Sequence, residues 1–160
     1  MSNKDVWENF CVKPIPLKGN GLFAKVHFSK DERLFQFTGT VLPIGVANLE
    51  ALQVNKNHAL ESDNKVDDNL NHSCDPNCRI LFEEDKVFLV SLRDIQAGEE
   101  LSFDYHTTEY DLVVQGCAFE CACCSPNCYG EIRGYNHLAP EDKIRMKDRL
   151  AAPYLRELAA

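Results

Sequence analysis

The sequence lacks a long hydrophobic run. No stretch of its 160 residues approaches the roughly 20 apolar residues that a membrane-spanning helix needs. The first ten residues, MSNKDVWENF, contain acids and no apolar segment, so they do not resemble a secretory signal peptide. We therefore expect a soluble intracellular protein with no membrane partner, acting in the cytoplasm or the nucleus or as an exported effector.

Basic residues are also few. Lys and Arg number 17 against 25 Asp and Glu, which gives a net charge of -8. This balance, with no visible basic stripe, argues against direct binding to nucleic acid but is compatible with a lysine-rich substrate. Internal repeats and low-complexity segments are absent, and the chain is long enough for one domain with a sizeable core. The oligomeric state stays open.

Cysteine, by contrast, is abundant. Seven of the eight cysteines fall into two groups, one around Cys74 and Cys78 and one between residues 117 and 128. Grouped thiols without an export signal favour a metal site over disulfides. A redox role is the weaker alternative, because no obvious catalytic base lies beside the thiols in the sequence.

Short strands are predicted for the first third of the chain. Residues 10–17 read as an edge strand because their prolines cannot donate to a ladder, residues 18–21 as a turn and residues 22–28 as a second strand. Residues 33–42 read as a further strand, in which Gly39 indicates a bulge or a close backbone approach.

The rest of the chain gives fewer regular patterns. Residues 46–54 show a weak helical period, whereas residues 55–69 are polar and nearly featureless. The clearest hairpin pairs residues 80–82 with residues 87–90. Residues 139–150 read as a helix that begins with a proline, and Pro153 divides the tail into two short helices. These elements predict a mostly β domain (β+α) of small curved sheets.

Two polar segments carry the strongest functional signal. Residues 71–78, Asn-His-Ser-Cys-Asp-Pro-Asn-Cys, hold carboxamides, an imidazole and thiols at a density that a connecting loop rarely has. Residues 99–105, Glu-Glu-Leu-Ser-Phe-Asp-Tyr, follow about 25 residues later. Together with the thiols of residues 121–128, these segments resemble the SET-domain protein-lysine methyltransferases with a post-SET zinc cluster. The resemblance covers roughly residues 10–138.

The resemblance implies both fold and chemistry. In this family the two polar segments cross to form a pseudoknot, S-adenosylmethionine donates the methyl group, and a lysine of a protein or peptide substrate receives it. Tyr105 matches the family's catalytic tyrosine, and Phe103 matches a position that influences how many methyl groups are added. We expect an apolar ring at Phe103 to leave room for di- or trimethylation. The positions implied for the cofactor site are Lys18, Gly19, Asn20, Gly21, Leu22, Asn71, His72 and Tyr105.

The chemistry requires a neutral lysine amine, whose pKa in water is ~10.4. A sulfonium roughly 5 Å away, at an effective dielectric of about 20, disfavours the ammonium by about 3 kcal/mol, or roughly two pK units. An unperturbed phenol titrates near ~10, so Tyr105 is expected to orient groups by hydrogen bonding rather than to act as a base.

Two sets of thiols are candidates for a structural zinc site. The family pattern implies Cys74, Cys121, Cys123 and Cys128, which would tie the tail to the first polar segment. The alternative is a local site drawn from Cys117, Cys121, Cys124 and Cys128. Four thiolates in either set would give a closed tetrahedral Zn²⁺ site.

The sequence departs from the family pattern upstream of Asn71. Asp68-Asn69-Leu70 stands where an Ala-Arg-Phe turn is common, and no tyrosine precedes residue 105. His58, Tyr110 and Tyr135 remain candidates for the missing tyrosine of the lysine channel. No cysteine-rich region precedes the domain, so we expect a minimal catalytic unit: a SET domain at residues 10–106, a post-SET segment at 117–133 and a helical extension at 139–160. The alternative is a catalytically silent, zinc-stabilised binding module.

Overall fold

The computed structural model describes residues 6–160. Residues 1–5 lie outside this range. They belong to the first ten residues, which are predicted not to form a secretory signal peptide. Within residues 6–160, the strands are β1 (Phe10–Ile15), β2 (Gly19–Ala24), β3 (Arg33–Phe37), β4 (Gly39–Pro43), β5 (Leu52–Gln53), β6 (His58–Ser62), β7 (Asn71–His72), β8 (Cys78–Glu83), β9 (Lys86–Ser91), β10 (Ser102–Phe103), β11 (Phe119–Glu120) and β12 (Glu131–Ile132). The α-helices are α1 (Pro140–Met146) and α2 (Pro153–Ala159), and single 3-10 turns cover Trp7–Asn9, Asp67–Asn69, Tyr105–Thr107, Tyr135–His137 and Lys147–Arg149.

The described strands form small sheets rather than one large sheet. Two sheets have three strands, in the orders β3-β9-β8 and β4-β6-β5, and the pairs β1-β2, β7-β10 and β11-β12 complete the set for residues 6–160. Short helices at the C-terminal end are the main helical elements. The predicted mostly β fold of small sheets is therefore confirmed. None of the helices in the described part of the chain is long and apolar enough to span a membrane.

The N-terminal hairpin turns earlier than predicted. Gly19 pairs with Ile15 and Gly21 with Lys13, so residues 19–21 belong to β2, and their prediction as a turn is wrong. The chain reverses at residues 16–18, where Lys18 N donates to the Ile15 carbonyl at 3.2 Å and Leu17 has a φ of 66°. Gly21 is needed for packing, since a Cβ there would overlap the Ile15 side chain, whereas Gly19 has open space around it and a φ of 79° that favours glycine.

The predicted strand over residues 33–42 divides at Gly39 into β3 and β4, which join different sheets. A Cβ at Gly39 would overlap the backbone carbonyl of Glu61, so the predicted close backbone approach is confirmed. The weak helical period over residues 46–54 does not form a helix; a loop leads into β5 there. The supposedly featureless residues 55–69 contain β6, which pairs with both β4 and β5. Partners remote in the sequence stabilise these strands, so local periodicity did not reveal them.

The predicted β8-β9 hairpin is confirmed, with Glu83 opposite Lys86 and a two-residue turn between them. Both predicted tail helices are also confirmed, and each begins with a proline, whose fixed φ and missing N–H suit the first helical position. The buried side chains of these helices, Met146, Tyr154 and Leu155, form a cluster with Tyr135, Leu150 and Ala152.

The tail packs against the segment that follows Tyr105. The backbone N–H groups of Ala151 and Ala152 both donate to the Thr107 carbonyl at 3.0 Å, and the Tyr154 hydroxyl donates to the Thr108 carbonyl. The larger core lies under the sheets and includes the fully buried Leu22, Leu89, Ile95 and Leu101. The end of the second polar segment is therefore held between the sheet core and the helical tail.

Candidate active site and cysteine cluster

The two polar segments meet in the parallel pair β7-β10, where Asn71 lies opposite Ser102 and His72 opposite Phe103. Asn77, whose side chain is buried with 4% of the residue exposed, stabilises the β7-β10 pair. Its amide nitrogen donates to the Glu100 carbonyl at 2.8 Å, and its amide oxygen accepts from Ser102 N at 3.0 Å. The segments predicted to cross are thus side by side, which brings Asn71, His72 and Tyr105 together.

Tyr105 is held at its backbone and at its hydroxyl. Its N–H donates to His72 Nδ1 at 3.1 Å, and its hydroxyl donates to the Leu70 carbonyl at 2.7 Å. Burial raises the pKa of the phenol above its ordinary value, with a further contribution from the nearby Glu109 charge. Tyr105 is therefore a protonated, oriented hydroxyl at neutral pH, as predicted.

His72 is a neutral positioning group. Burial lowers the pKa of its imidazole to about 4, although Asp104 acts in the opposite direction. Because Nδ1 accepts from the Tyr105 N–H, Nε2 carries the proton and faces Cys74 Sγ at 3.2 Å. Asp104 pairs more closely with His106, at 2.9 Å, and also meets Arg149 at 3.4 Å. His72 therefore connects the segment that carries Tyr105 with Cys74.

A cavity of about 270 Å³ has Tyr105 in its wall, and we name it the Asn71 cavity. Lys18 in its wall pairs with Glu100 at 3.1 Å, and the Asn71 amide donates both to Glu100, at 3.0 Å, and to the Asn20 carbonyl, at 2.8 Å. The lining residues are Leu17, Lys18, Asn71, His72, Tyr105, Phe119, Glu120, Cys121 and Ala122.

The residues predicted for the cofactor site fall into two groups in the structure. Lys18, Asn71, His72 and Tyr105 line the Asn71 cavity, whereas the structure does not place Gly19, Asn20, Gly21 or Leu22 among its lining residues. The physical reason is that these four residues lie in β2; Leu22 is fully buried, and its carbonyl accepts from Leu101 N at 2.7 Å. Sequence reasoning missed the contribution of residues 119–122, although their position next to the cysteines of residues 121–128 was a usable signal.

A smaller cavity of about 120 Å³ also has Tyr105 in its wall, and we name it the Glu109 cavity. Phe103 is in its wall, with its ring centroid 4.9 Å from that of Tyr105. The wall is otherwise apolar, apart from several acids and Cys117. The lining residues are Phe37, Leu49, Glu50, Ala51, Leu52, Asp67, Asp68, Leu70, Phe103, Tyr105, Glu109, Leu112, Cys117 and Phe119.

The three candidates for the missing channel tyrosine do not line this cavity. His58 contacts Asn55 through its ring, Tyr110 bonds through its backbone to the Gln53 side chain, and Tyr135 is buried in the tail cluster. The wall of this cavity includes residues 49–52 and Phe37. Tyr105 and Phe119 belong to both cavities, so the two spaces meet at the tyrosine.

The cysteines separate into one cluster and several single thiols. The Sγ atoms of Cys74, Cys121, Cys123 and Cys128 lie within 4.8 Å of one another. Cys74 Sγ is 3.8 Å from that of Cys121 and 3.9 Å from that of Cys128. Sulfurs that bind one tetrahedral Zn²⁺ at about 2.3 Å stand about 3.8 Å apart, so the cluster fits a zinc site with four thiolate ligands. The local alternative is not assembled, because Cys117 and Cys124 lie outside the cluster.

Known proteins resemble this chain in sequence. A sequence model of the SET domain matches residues 19–106. The Drosophila melanogaster histone-lysine N-methyltransferase trr is 32% identical over 144 residues, which cover 78% of this chain and 6% of that protein. An H3 lysine-36 specific histone-lysine N-methyltransferase of Schizosaccharomyces pombe is 27% identical over 79% of this chain and 18% of its own length. The chain therefore spans less than a fifth of these curated relatives.

One solved structure resembles the fold. It is the crystal structure of KRYPTONITE in complex with mCHH DNA, an H3(1-15) peptide and SAH, which superposes with a TM-score of 0.62. The sequences are 20% identical, and the match covers 77% of this chain and 29% of the other. At this identity the likeness concerns the fold.

Proposed function

Because the chain belongs to the SET-domain family, we propose that it is an S-adenosylmethionine-dependent protein-lysine N-methyltransferase. The observation that carries the proposal is the meeting of two cavities at Tyr105. Methyl transfer to an amine is an in-line displacement, in which donor and acceptor approach the same point from opposite sides. The larger Asn71 cavity suits the donor, and the smaller, mainly apolar Glu109 cavity suits a lysine side chain.

In this proposal S-adenosylmethionine supplies a methyl group on a positively charged sulfur. Lys18 and Asn71 present an ammonium and an amide to the polar end of the donor in the Asn71 cavity. Tyr105 has donated its hydroxyl hydrogen to the Leu70 carbonyl. Its free lone pairs can therefore accept a hydrogen bond from the lysine nitrogen and orient that nitrogen. The buried ring of Phe103 and the half-buried ring of Tyr105 exclude water from the point of transfer.

We further propose that Cys74, Cys121, Cys123 and Cys128 hold a structural Zn²⁺. The ion would join the loop after β7 to residues 119–122, which form part of the wall of the Asn71 cavity. The chain divides on this basis into the SET domain at residues 10–106, the post-SET segment at 117–133 and the helical extension at 139–160. Zinc would thus complete the donor cavity without taking part in the transfer.

The substrate proposed is a protein or peptide bearing a lysine, with a histone tail as the first to test. The curated relatives are named as histone-lysine enzymes, which supports this choice and a nuclear place of action. The acids in the wall of the Glu109 cavity suit a basic peptide.

The experiment is transfer of a radiolabelled methyl group from S-adenosylmethionine to mixed histones or to a cell lysate, followed by mass spectrometry of the labelled protein. We expect lysine methylation by the wild type. Tyr105→Phe should lower the rate by about 100-fold, because the orienting hydroxyl is lost, and should leave donor affinity within a few-fold. The variant also loses the hydrogen bond to Leu70, so its melting temperature is measured in parallel.

A catalytically silent binding module is the competing outcome. It would bind the donor or a peptide with no transfer to any lysine by the zinc-loaded wild type. That result would overturn the enzyme assignment while leaving the fold and the cysteine cluster intact.

A further inference from the structure

Glu109 is a buried carboxyl that the family motifs do not include. It lies four residues after Tyr105, and its backbone N–H donates to the Tyr105 carbonyl at 2.8 Å. The residue is 7% exposed, yet it lines the same cavity as Phe103 and the phenol of Tyr105. A carboxyl group therefore occupies the wall of the space in which the proposed function puts the substrate lysine.

The two oxygens of Glu109 have different surroundings. Oε1 accepts hydrogen bonds from the Gln53 backbone N–H at 3.0 Å and from the Thr108 hydroxyl at 3.1 Å. No hydrogen bond among the described residues involves Oε2. Among these residues, the side-chain polar atoms that are both fully buried and without a hydrogen-bond partner are Asn48 Oδ1 and Asp67 Oδ1, so Oε2 is not fully buried. Oε2 therefore keeps some accessible surface, and the accessible space beside Glu109 is the cavity.

The charges around the carboxyl favour a cation as its partner. No lysine or arginine occurs among the described residues that line the Glu109 cavity, whereas Glu50, Asp67 and Asp68 do. The titratable groups that sense its charge are Tyr105, Cys117 and Tyr154. Burial raises the pKa of Glu109 to about 7. A carboxyl that titrates near the working pH can both take up and release a proton.

We propose that Glu109 is the proton acceptor for the substrate lysine. Oε2 takes one proton from the ammonium group, so that an N–H bond breaks, an O–H bond forms, and a neutral amine faces the methyl donor. The amine lone pair then forms the N–C bond as the C–S bond of the donor breaks. Glu109 returns its proton to water when the product leaves. This role rests on the proposed function and adds to it a group that Tyr105, whose phenol stays protonated, cannot replace.

The test compares single-turnover methylation rates of the zinc-loaded wild type and Glu109→Gln between pH 6 and pH 10, with a lysine peptide as the probe. The glutamine can keep the two bonds at Oε1, because its amide oxygen is also an acceptor. At pH 7 we expect the single-turnover rate constant of the variant to be about 100-fold lower, with the peptide concentration at half-maximal rate within threefold of the wild type, since general-base catalysis contributes roughly 100- to 10,000-fold. Near pH 10, where the lysine itself loses its proton, the two rates should converge.

The controls separate proton transfer from a structural role. Glu157→Gln, in the exposed face of α2, is the matched control and should have a wild-type profile. Melting temperature, zinc content and donor affinity are measured for each variant. A uniform loss of rate at every pH, or a rate within threefold of the wild type at pH 7, would overturn the inference.

Two further measurements decide the matter if Glu109→Gln fails to fold. The wild-type rate should rise between pH 6 and pH 8, and a flat profile would refute the role. Glu109→Asp keeps the carboxyl group but withdraws it from the cavity. The variant should therefore keep the rise in rate between pH 6 and pH 8, with every rate lowered about 10-fold or more. An unchanged rate would also refute the proposed role of Glu109. If the wild type methylates no lysine at all, it is the proposed function that fails.

Discussion

Tyr105 has little freedom to move, because neighbours on the other polar segment hold both its backbone and its hydroxyl. His72 fixes the N–H and the Leu70 carbonyl fixes the hydroxyl, so Tyr105 is held in a wall that the two cavities share. Preorganisation of this kind lowers the entropic cost of aligning the reacting groups. At the scale of single residues, the proposed chemistry therefore depends on a few buried side chains whose partners are remote in sequence.

Phe103→Tyr should reduce the number of methyl groups that are added. Phe103 is 6% exposed and lies in the wall of the Glu109 cavity, so an added hydroxyl would occupy space near the lysine nitrogen and could hold a water or the amine there. We expect di- or trimethylated product from the wild type and mainly monomethylated product from the variant, by mass spectrometry at long reaction times. Phe88→Tyr, in the β8-β9 sheet, is the control. Monomethylated product alone from the wild type would contradict the hypothesis.

Glu109 should also give the free energy of unfolding a characteristic pH dependence. Its folded pKa of about 7 lies above the value of 4.5 for a free glutamate, so folding disfavours the ionised form. The associated stability is complete below about pH 4.5 and is lost as the pH rises to about 7. The free energy of unfolding can be measured with urea at pH 5 and pH 8 for the wild type and Glu109→Gln. From pH 5 to pH 8 the wild type should lose on the order of 3 kcal/mol more of this free energy than the variant does. Parallel curves for the two proteins would contradict this.

The central pair β7-β10 is too short to hold the two polar segments together by its own ladder. Each strand has two residues, and the side chain of Asn77 adds the bonds that the ladder lacks. Ser73 N adds one more by donating to the Phe103 carbonyl at 3.1 Å. The element that carries Asn71, His72 and Phe103 is thus stabilised by side-chain bonds as much as by strand pairing.

Asn77→Ala should destabilise this element. It leaves the Ser102 N–H and the Glu100 carbonyl without their partner in a buried place, at a cost of about 1–3 kcal/mol for each unsatisfied group. Urea unfolding should show this loss, and methyl transfer should fall because Tyr105 loses its alignment. Asn57→Ala, at an exposed position of the β5-β6 turn, should change the free energy of unfolding by less than about 0.5 kcal/mol. Equal effects of the two substitutions would refute the bridging role.

Across the whole molecule, the cysteine cluster joins parts of the chain that are almost 50 residues apart, from Cys74 to Cys121. Metal binding at such a site is worth about 10 kcal/mol or more. The tail is also held by the bonds of Ala151 and Ala152 to Thr107 and by the tail cluster. A metal at the cluster and the tail helices would therefore fix different stretches of the C-terminal region near Tyr105.

Removal of zinc with a strong chelator should abolish methyl transfer and loosen residues 117–133. Hydrogen exchange should show lost protection there, while α1 and α2 keep theirs longer, because their contacts do not involve the cysteines. Cys74→Ser should behave as the chelated protein does, whereas Cys124→Ser, at an exposed thiol outside the cluster, should retain zinc and activity. Full activity of the metal-free protein would contradict the proposed structural zinc.

The sequence by itself determined the features that are written in short, contiguous segments. Residues 71–78, 99–105 and 121–128 carry the family signature, the β8-β9 hairpin is a local alternation with a short turn, and a proline opens each tail helix. Only the tertiary structure decided which residues face the cavities. The sheet β4-β6-β5 and the burial of Glu109 beside Gln53 depend on partners far along the chain, and the inclusion of Gly19 and Gly21 in β2 depends on the register of its pairing with β1. Burial and strand pairing are properties of the assembled neighbours, and local periodicity does not encode them.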